Sequence, residues 1–141
     1  MEADKLMNIS LVLPEHYEAI WPDINDYMDG AAKYTHGRFK VEDIKHGLIK
    51  NNQQLWIAFD DNIKGAVITE IIQYPQIRAL IMHFTGGIKL PTWKDEMLKT
   101  LQSYARDKGC NTIESYGRRG WERVFKNDGF KSKFMFYELP V

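Results

Sequence analysis

At 141 residues the chain is long enough for one domain with a buried core and too short for two, so residues 1–141 are expected to form a single domain. Hydrophobic residues account for 44% and charged residues for 27%, which excludes a disordered chain, and no stretch approaches the roughly 18 apolar residues of a membrane-spanning helix. The N-terminus has no basic segment followed by an apolar run, so a cytoplasmic protein without a membrane partner is expected.

The zero formal net charge is distributed unevenly along the chain. Residues 1–84 contain 8 basic and 12 acidic residues, whereas residues 85–141 contain 11 and 7. A basic C-terminal half suits phosphate groups, whether of a cofactor or of a nucleic acid, and an unevenly charged solvated surface explains the same counts.

Cysteine and histidine usage argues against a disulfide framework or a metal site. The one cysteine, Cys110, follows Gly109 at the start of a predicted strand and is expected to be a buried, unreactive thiol. No two histidines lie four residues apart beside a carboxylate, so no metal is implied. The four histidines are His16, His36, His46 and His83.

In the first half, apolar periodicity predicts an antiparallel arrangement preceded by two helices. Pro22 is expected to bend or divide the first helix, because proline removes a hydrogen bond there. The predicted elements are a strand over residues 8–13, a helix from Pro14 to about residue 32, a helix over residues 40–50, and strands over residues 55–59 and 63–73 that form a hairpin.

In the second half, strands and helices alternate. The predicted elements are a strand over residues 79–84, a loop over 85–91, an amphipathic helix over 92–108, a strand over 111–116, a short helix that ends in KNDGF at residues 126–130, and a last strand over 133–139. The sequence therefore predicts an α/β fold, a mixed β-sheet flanked by helices in the order β-α-α-β-β-β-α-β-α-β.

This order resembles the GCN5-related N-acetyltransferase (GNAT) superfamily over nearly the whole chain. Residues 103–110, SYARDKGC, look like the end of the family's cofactor helix, and residues 121–130, WERVFKNDGF, are similar to its helix and Gly-Phe turn. The aromatic C-terminal segment also resembles small GNAT-like proteins of tailed phages, some of them virion or head-assembly components. The resemblance implies acetyl-CoA as cofactor and an amine as substrate.

In the family, an Arg/Gln-x-x-Gly-x-Gly/Ala loop holds the coenzyme A pyrophosphate through backbone amides at a helix N-terminus. Counting back from Gly109, Lys89 matches the leading Arg/Gln, and Thr92 and Lys94 match the two glycine positions. Bulkier side chains therefore stand where the family has glycine. Pro91 also lacks an amide donor. The cofactor-binding residues that the resemblance implies are Gly86, Gly87, Ile88, Lys89, Thr92 and Lys94.

An alternative interpretation of this loop is a plain connection between strand and helix. Thr92, followed by Asp95 and Glu96, has the pattern of an N-terminal cap in which the threonine bonds the first-turn amides. For a cofactor site, by contrast, Gly86 and Gly87 supply flexible backbone one turn before the family's glycines, and Lys89 and Lys94 supply positive charge. The two interpretations are left open by the sequence.

Acetyl transfer needs a base for the amine and an acid for the leaving thiolate. The family's usual acid position corresponds to Phe125, which has no proton to donate. Two tyrosines on predicted strands are expected to replace it, Tyr116 and Tyr137. Each is also explained as a core residue with its hydroxyl at the rim.

Three residues on or near predicted strands are candidates for the base: Glu70, His83 and Glu114. Glu114 and Tyr116 lie two residues apart on one strand and therefore share a face. His83, on an apolar strand, is also explained as a hydrogen-bonded core histidine. The candidate catalytic residues are Glu70, Glu114, Tyr116 and Tyr137.

Two hypotheses of different kinds follow. The first is an acetyl-CoA-dependent N-acetyltransferase acting on a small-molecule or protein amine. The second is a catalytically silent GNAT scaffold that binds protein partners or itself, in the host cytoplasm or in a phage virion. A nucleic-acid partner is not expected, because Trp121 is interpreted as packing the last helix on the sheet. The basic residues around it are Arg118, Arg119, Arg123, Lys126, Lys131 and Lys133.

Overall fold

The computed structural model describes residues 7–117 and 127–141. Five strands form one sheet: β1 (Asn8–Val12), β2 (Gln54–Phe59), β3 (Ile63–Gln73), β4 (Arg78–Gly87) and β5 (Thr112–Ser115). They lie side by side in chain order. Each of β1 to β4 is antiparallel to its neighbour in this series, and β5 is parallel to β4. The pairing changes from antiparallel to parallel at β5 because a helix connects β4 to β5, and a parallel pair needs such a crossover.

Helices cover both faces of the sheet: α1 (Tyr17–Ala32) and α2 (Val41–Lys50) on one side, and α3 (Lys94–Asp107) on the other. Because successive strand residues point to opposite faces, β2 places Leu55 and Ile57 in the core under α1 and α2. Its alternate residues Trp56 and Ala58 lie in the core under α3. Both faces of the sheet are therefore buried.

The predicted fold class is confirmed: a mixed sheet flanked by helices, with the predicted order of elements from Asn8 to Ser115. α1 is continuous through Pro22, which was expected to bend or divide it. Pro22 is exposed, while Trp21 and Ile24 on either side of it are buried against the sheet, and this packing outweighs the lost hydrogen bond. Among the described residues, no helix is long and apolar enough to cross a membrane.

β4 extends three residues beyond its predicted end. Residues 85–87, expected in a loop, pair with residues 65–67 of β3. The loop between β4 and α3 is correspondingly short and contains a 3-10 turn at Leu90–Thr92.

The predicted last strand over residues 133–139 is not formed, because residues 130–141 contain neither helix nor strand. Glu138 instead forms an ion pair with Arg38, and the Arg38 guanidinium lies 5.1 Å from the ring centre of Phe136. These contacts direct the segment to the loop between α1 and α2 rather than to a strand edge. Outside the described residues lie the positions Arg118, Arg119, Trp121, Arg123, Phe125 and Lys126 and most of the predicted short helix.

Candidate functional site

A cavity of about 480 Å³ lies where β4 and β5 part. Within residues 7–117 and 127–141, the two strands are paired only as far as Met82 and Ser115, and β4 then continues to Gly87 without a neighbouring strand on that side. α1 forms the facing wall through residues 26–31, and the loop before α3 contributes Lys89 at the rim. A concave site of this volume accommodates a small-molecule ligand.

His83 lines the cavity because the pairing of β3 with β4 is irregular at this point. Ile68 pairs with Phe84 and the next residue, Thr69, pairs with Met82, so His83 is an extra residue in β4. Such a bulge redirects the side chain of the inserted residue. The imidazole is 28% exposed, which places it at the cavity surface rather than in the core.

Glu70 on β3 holds the His83 ring, with Nε2 of His83 2.9 Å from Oε1 of Glu70. The same oxygen accepts a hydrogen bond of 2.8 Å from Nε2 of Gln53. A carboxylate partner for Nε2–H fixes the tautomer in which Nδ1 carries the lone pair. The pair can therefore accept a proton from a ligand in the cavity, with Glu70 orienting the base.

Glu114 forms a second polar contact on β5, beside the cavity rather than in its wall. Its Oε1 accepts a hydrogen bond of 2.9 Å from the hydroxyl of Tyr74. This bond to a carboxylate, together with the nearby Tyr116, raises the pKa of Tyr74 to about 12. Glu114 and Tyr116 thus both lie near Tyr74.

The two candidate acids lie in different surroundings. Tyr116 lines the cavity just after β5 and is 76% exposed. Tyr137 is also exposed, its hydroxyl lies 3.7 Å from Sδ of Met135, and it is not part of the cavity wall. Their catalytic roles stay predictions.

Gly86 and Gly87 line the cavity, and both are also in close contact with neighbouring backbone. A Cβ at Gly86 would lie 2.2 Å from the carbonyl oxygen of Tyr27, so the missing side chain lets α1 approach β4. Gly87 has a φ of +148° and a Cβ there would lie 2.4 Å from the Lys64 carbonyl oxygen. Ile88 extends this pairing, since its amide donates to the same Lys64 oxygen at 2.8 Å.

The three positions that match the family's phosphate loop have different partners. Lys89 adopts a left-handed conformation (φ 53°) and lines the cavity. The Thr92 hydroxyl donates to the Lys89 carbonyl at 2.6 Å and caps no amide of α3, so the predicted cap is wrong. Lys94 forms an ion pair of 2.8 Å with Asp128. The cofactor role of these residues stays a prediction.

Trp93 is the residue of this loop that sequence reasoning missed. It is 2% exposed, and its Nε1 donates to the Ile88 carbonyl at 2.9 Å. A Cβ at Gly65 would lie 2.3 Å from its ring, so the indole fills the space above that glycine. The signal was the large aromatic residue just before a helix, next to Thr92 and Lys94.

The α1 wall was also missed as a site. Tyr27 and Ala31 belong to the apolar periodicity that predicts the first helix, and both line the cavity, together with Asp26 and Gly30. Their spacing of three and four residues is compatible with either role, because core and cavity lie on adjacent parts of the same face. No group of three or more metal-ligating side chains occurs in residues 7–117 and 127–141.

No protein-family model and no curated protein matches the sequence. Solved structures match the fold. The ribosomal-protein-alanine N-acetyltransferase from Brucella melitensis biovar Abortus 2308 has a TM-score of 0.70 at 16% identity, with 96% of this chain and 99% of that chain covered. A GNAT family acetyltransferase from Staphylococcus aureus has a TM-score of 0.69 at 11% identity, with 97% and 100% covered.

The chain has the GNAT acetyltransferase fold. A predicted acetyltransferase from Clostridium acetobutylicum, solved with acetyl-CoA, is likewise similar, with a TM-score of 0.67 at 15% identity and coverage of 95% and 96%. The expected GNAT fold is therefore confirmed, and the finer resemblance to phage proteins stays a prediction.

Proposed function

We propose that the protein is an N-acetyltransferase that moves the acetyl group of acetyl-CoA to an amine bound in the cavity. The observation that carries this proposal is the His83–Glu70 pair, with Nε2 of His83 2.9 Å from Oε1 of Glu70 at the cavity surface. A fold alone does not establish an activity, whereas an oriented base beside an open cavity supports one.

The residues divide the proton transfers between them. His83 accepts at Nδ1 the proton that the amine nitrogen loses as the new N–C bond forms and the C–S bond of the thioester breaks. Glu70 keeps the ring in place and stabilises the imidazolium that results. Tyr116, at the exposed end of the cavity, donates a proton to the released sulfur and regains one from solvent.

The described residues fit the acyl end of acetyl-CoA better than its pyrophosphate. Beyond Met82, β4 has backbone groups that β5 does not pair, and these are available to hydrogen-bond an extended acyl-pantetheine arm. Lys89 supplies a positive charge at the rim. Lys94 faces Asp128 and the Thr92 hydroxyl faces the protein, so phosphate binding is expected to be weak. When bound, the cofactor supplies an activated acetyl group.

The test is acetyl transfer to a panel of primary amines, measured as thiol release from acetyl-CoA. His83→Gln is expected to lower the rate about 10²- to 10⁴-fold, the usual contribution of a general base. His46→Gln is the matched control, because His46 is an exposed histidine of α2 that is not part of the cavity wall. Wild-type rates equal to those of His83→Gln would overturn the proposal.

A second candidate function, a silent scaffold, is favoured by the C-terminal segment. Phe134, Phe136 and Tyr137 are 77–93% exposed, and a contiguous exposed apolar segment marks an interaction surface. In this hypothesis the protein self-associates or binds a protein partner. A more specific version of the hypothesis is a scaffold that takes part in the assembly of a phage particle. Two residues that match the family's cofactor loop, Thr92 and Lys94, already form contacts with other residues of this chain. These contacts also suit a protein that binds no cofactor.

Sedimentation velocity tests this second candidate. Phe136→Ser is expected to abolish self-association if the segment mediates it. Ile49→Ser is the control, because Ile49 is 59% exposed on α2, away from the segment. A monomer at all concentrations in the wild type would count against self-association.

A further inference from the structure

Gly30 is a helix glycine that neither backbone geometry nor protein packing requires. It lies inside α1, it is absent from the glycines with positive φ, and a Cβ added to it would meet no atom within 4 Å. Glycine destabilises a helix relative to alanine. Gly86 is different, because it is required for the contact with Tyr27. Neither the backbone nor the packing of the described residues therefore accounts for a glycine at position 30.

The open space at Gly30 belongs to the cavity. Tyr27, Gly30, Ala31 and Tyr34 all line it, and their spacing of three, one and three residues places them on one face along α1 and the turn that follows it. Gly30 lies midway along this face. Since Gly30 lines the cavity and a Cβ there would meet open space, a larger side chain at this position would take up room beside the cavity wall.

Aromatic side chains surround the same space. Phe84 lies on the facing wall and is held edge-on by Phe39, with ring centres 5.3 Å apart and an angle of 76°. Tyr116 lies at the exposed end of the cavity next to β5. Walls of this kind bind flat apolar groups, and the carboxylate of Asp26 on the α1 wall favours a cation.

Building on the proposed function, we infer that the acceptor is a primary amine on an arylalkyl group, with the aromatic ring against Gly30 and the amino group at His83. Gly30 is then a specificity-determining residue: it leaves room for the ring and makes no contact with the reacting atoms. The amine chemistry itself remains the task of His83 and Glu70.

The experiment compares phenethylamine with ethylamine as probes. Binding of each is measured by ligand-observed NMR without cofactor, and acetyl transfer to each is measured separately. The variants are Gly30→Ala and Gly30→Leu. Gly47→Ala is the matched control, since Gly47 lies in α2 and a Cβ there would make an ordinary contact of 3.5 Å with Asn51.

Gly30→Ala and Gly47→Ala are each expected to raise Tm by at most about 4 °C, because alanine is a better helix former than glycine. Gly30→Ala is expected to weaken phenethylamine binding about tenfold, and Gly30→Leu about a hundredfold or more, with ethylamine little changed. Gly47→Ala is expected to leave both affinities unchanged.

The two readouts separate this inference from the proposed function. Wild-type protein that binds phenethylamine no better than ethylamine, or a Gly30→Leu variant that binds it as well as the wild type, would overturn the inference. Phenethylamine binding that depends on Gly30, without acetyl transfer to either amine, would uphold the inference about the cavity and overturn the transferase. Acetyl transfer to both amines at rates that the Gly30 variants do not change would uphold the transferase and overturn the inference about Gly30.

Discussion

The bulge of β4 in the cavity wall and the start of α3 beside the cavity use their polar groups in opposite ways. At the β4 bulge, His83 and Glu70 are bonded to each other and His83 still reaches the cavity surface. At the start of α3, the Thr92 hydroxyl donates to the Lys89 carbonyl and the Lys94 ammonium is paired with Asp128. The first arrangement leaves a side chain in reach of a ligand, whereas the second uses its polar groups within the fold. Binding of acetyl-CoA is therefore expected to be weaker than binding of the amine.

Trp93→Ala is expected to have the largest effect, a loss of about 3–5 kcal/mol in the free energy of unfolding, because the buried indole fills the space above Gly65. Urea denaturation gives this value. Gly65→Ala alone is also expected to destabilise, since its methyl group meets the ring. In the double variant the two losses should partly cancel. Strictly additive losses would show that the loop does not depend on this contact.

Glu70→Gln is expected to lower kcat about 10- to 100-fold with little change in KM for the amine, because the carboxylate orients His83 and does not touch the substrate. Steady-state kinetics separates the two parameters. Glu42→Gln, on the exposed side of α2, is the control. An increase in KM at constant kcat would assign Glu70 to amine binding instead.

Asp128→Asn is expected to strengthen acetyl-CoA binding about threefold, because it removes the carboxylate that competes with a phosphate for the Lys94 ammonium. Isothermal titration calorimetry measures the change. Asp95→Asn serves as the matched control, since the Asp95 carboxylate lies 4.0 Å from the same ammonium and is 72% exposed. Equal affinities for the wild type and Asp128→Asn would remove the electrostatic explanation for weak donor binding.

The smallest effect concerns Tyr74, whose pKa is raised to about 12 by its bond to Glu114. The folded pKa exceeds the unfolded value of about 10, so the stability that this bond provides is present below pH 10 and lost as the pH rises to about 12. Glu114→Gln should return the phenol titration towards pH 10, measured by ultraviolet absorbance of the phenolate. An unchanged titration would mean that Glu114 does not hold the proton on Tyr74.

The order of the first eight helices and strands could be predicted because each has its own apolar period and its own turn signals. The bulge at His83 could not, because it depends on how β3 and β4 align, which neither strand determines alone. The strand predicted over residues 133–139 has strand-forming residues, but strand propensity does not decide which edge a segment pairs with. In the structure, the contacts of Glu138 and Phe136 with Arg38 direct it elsewhere.

The candidate site was predictable only where the residues lie on, or at a fixed distance from, a predicted strand or helix. Glu70 and Tyr116 could be proposed from strand position, and the loop residues from their distance to Gly109. The α1 wall could not, because Tyr27 and Ala31 have the spacing of core residues, and only the packing of α1 against β4 distinguishes cavity from core. Gly30 was the available signal, as a glycine inside a predicted helix.

The decisive experiment is calorimetric titration of the wild-type protein with acetyl-CoA at near-millimolar ligand. A 1:1 isotherm with a Kd of about 0.1–1 mM, together with a rise in Tm, is the expected result for a cavity that accepts the acyl arm and holds the phosphates weakly. A folded protein that gives no heat and no thermal shift would contradict the transferase and leave the scaffold function.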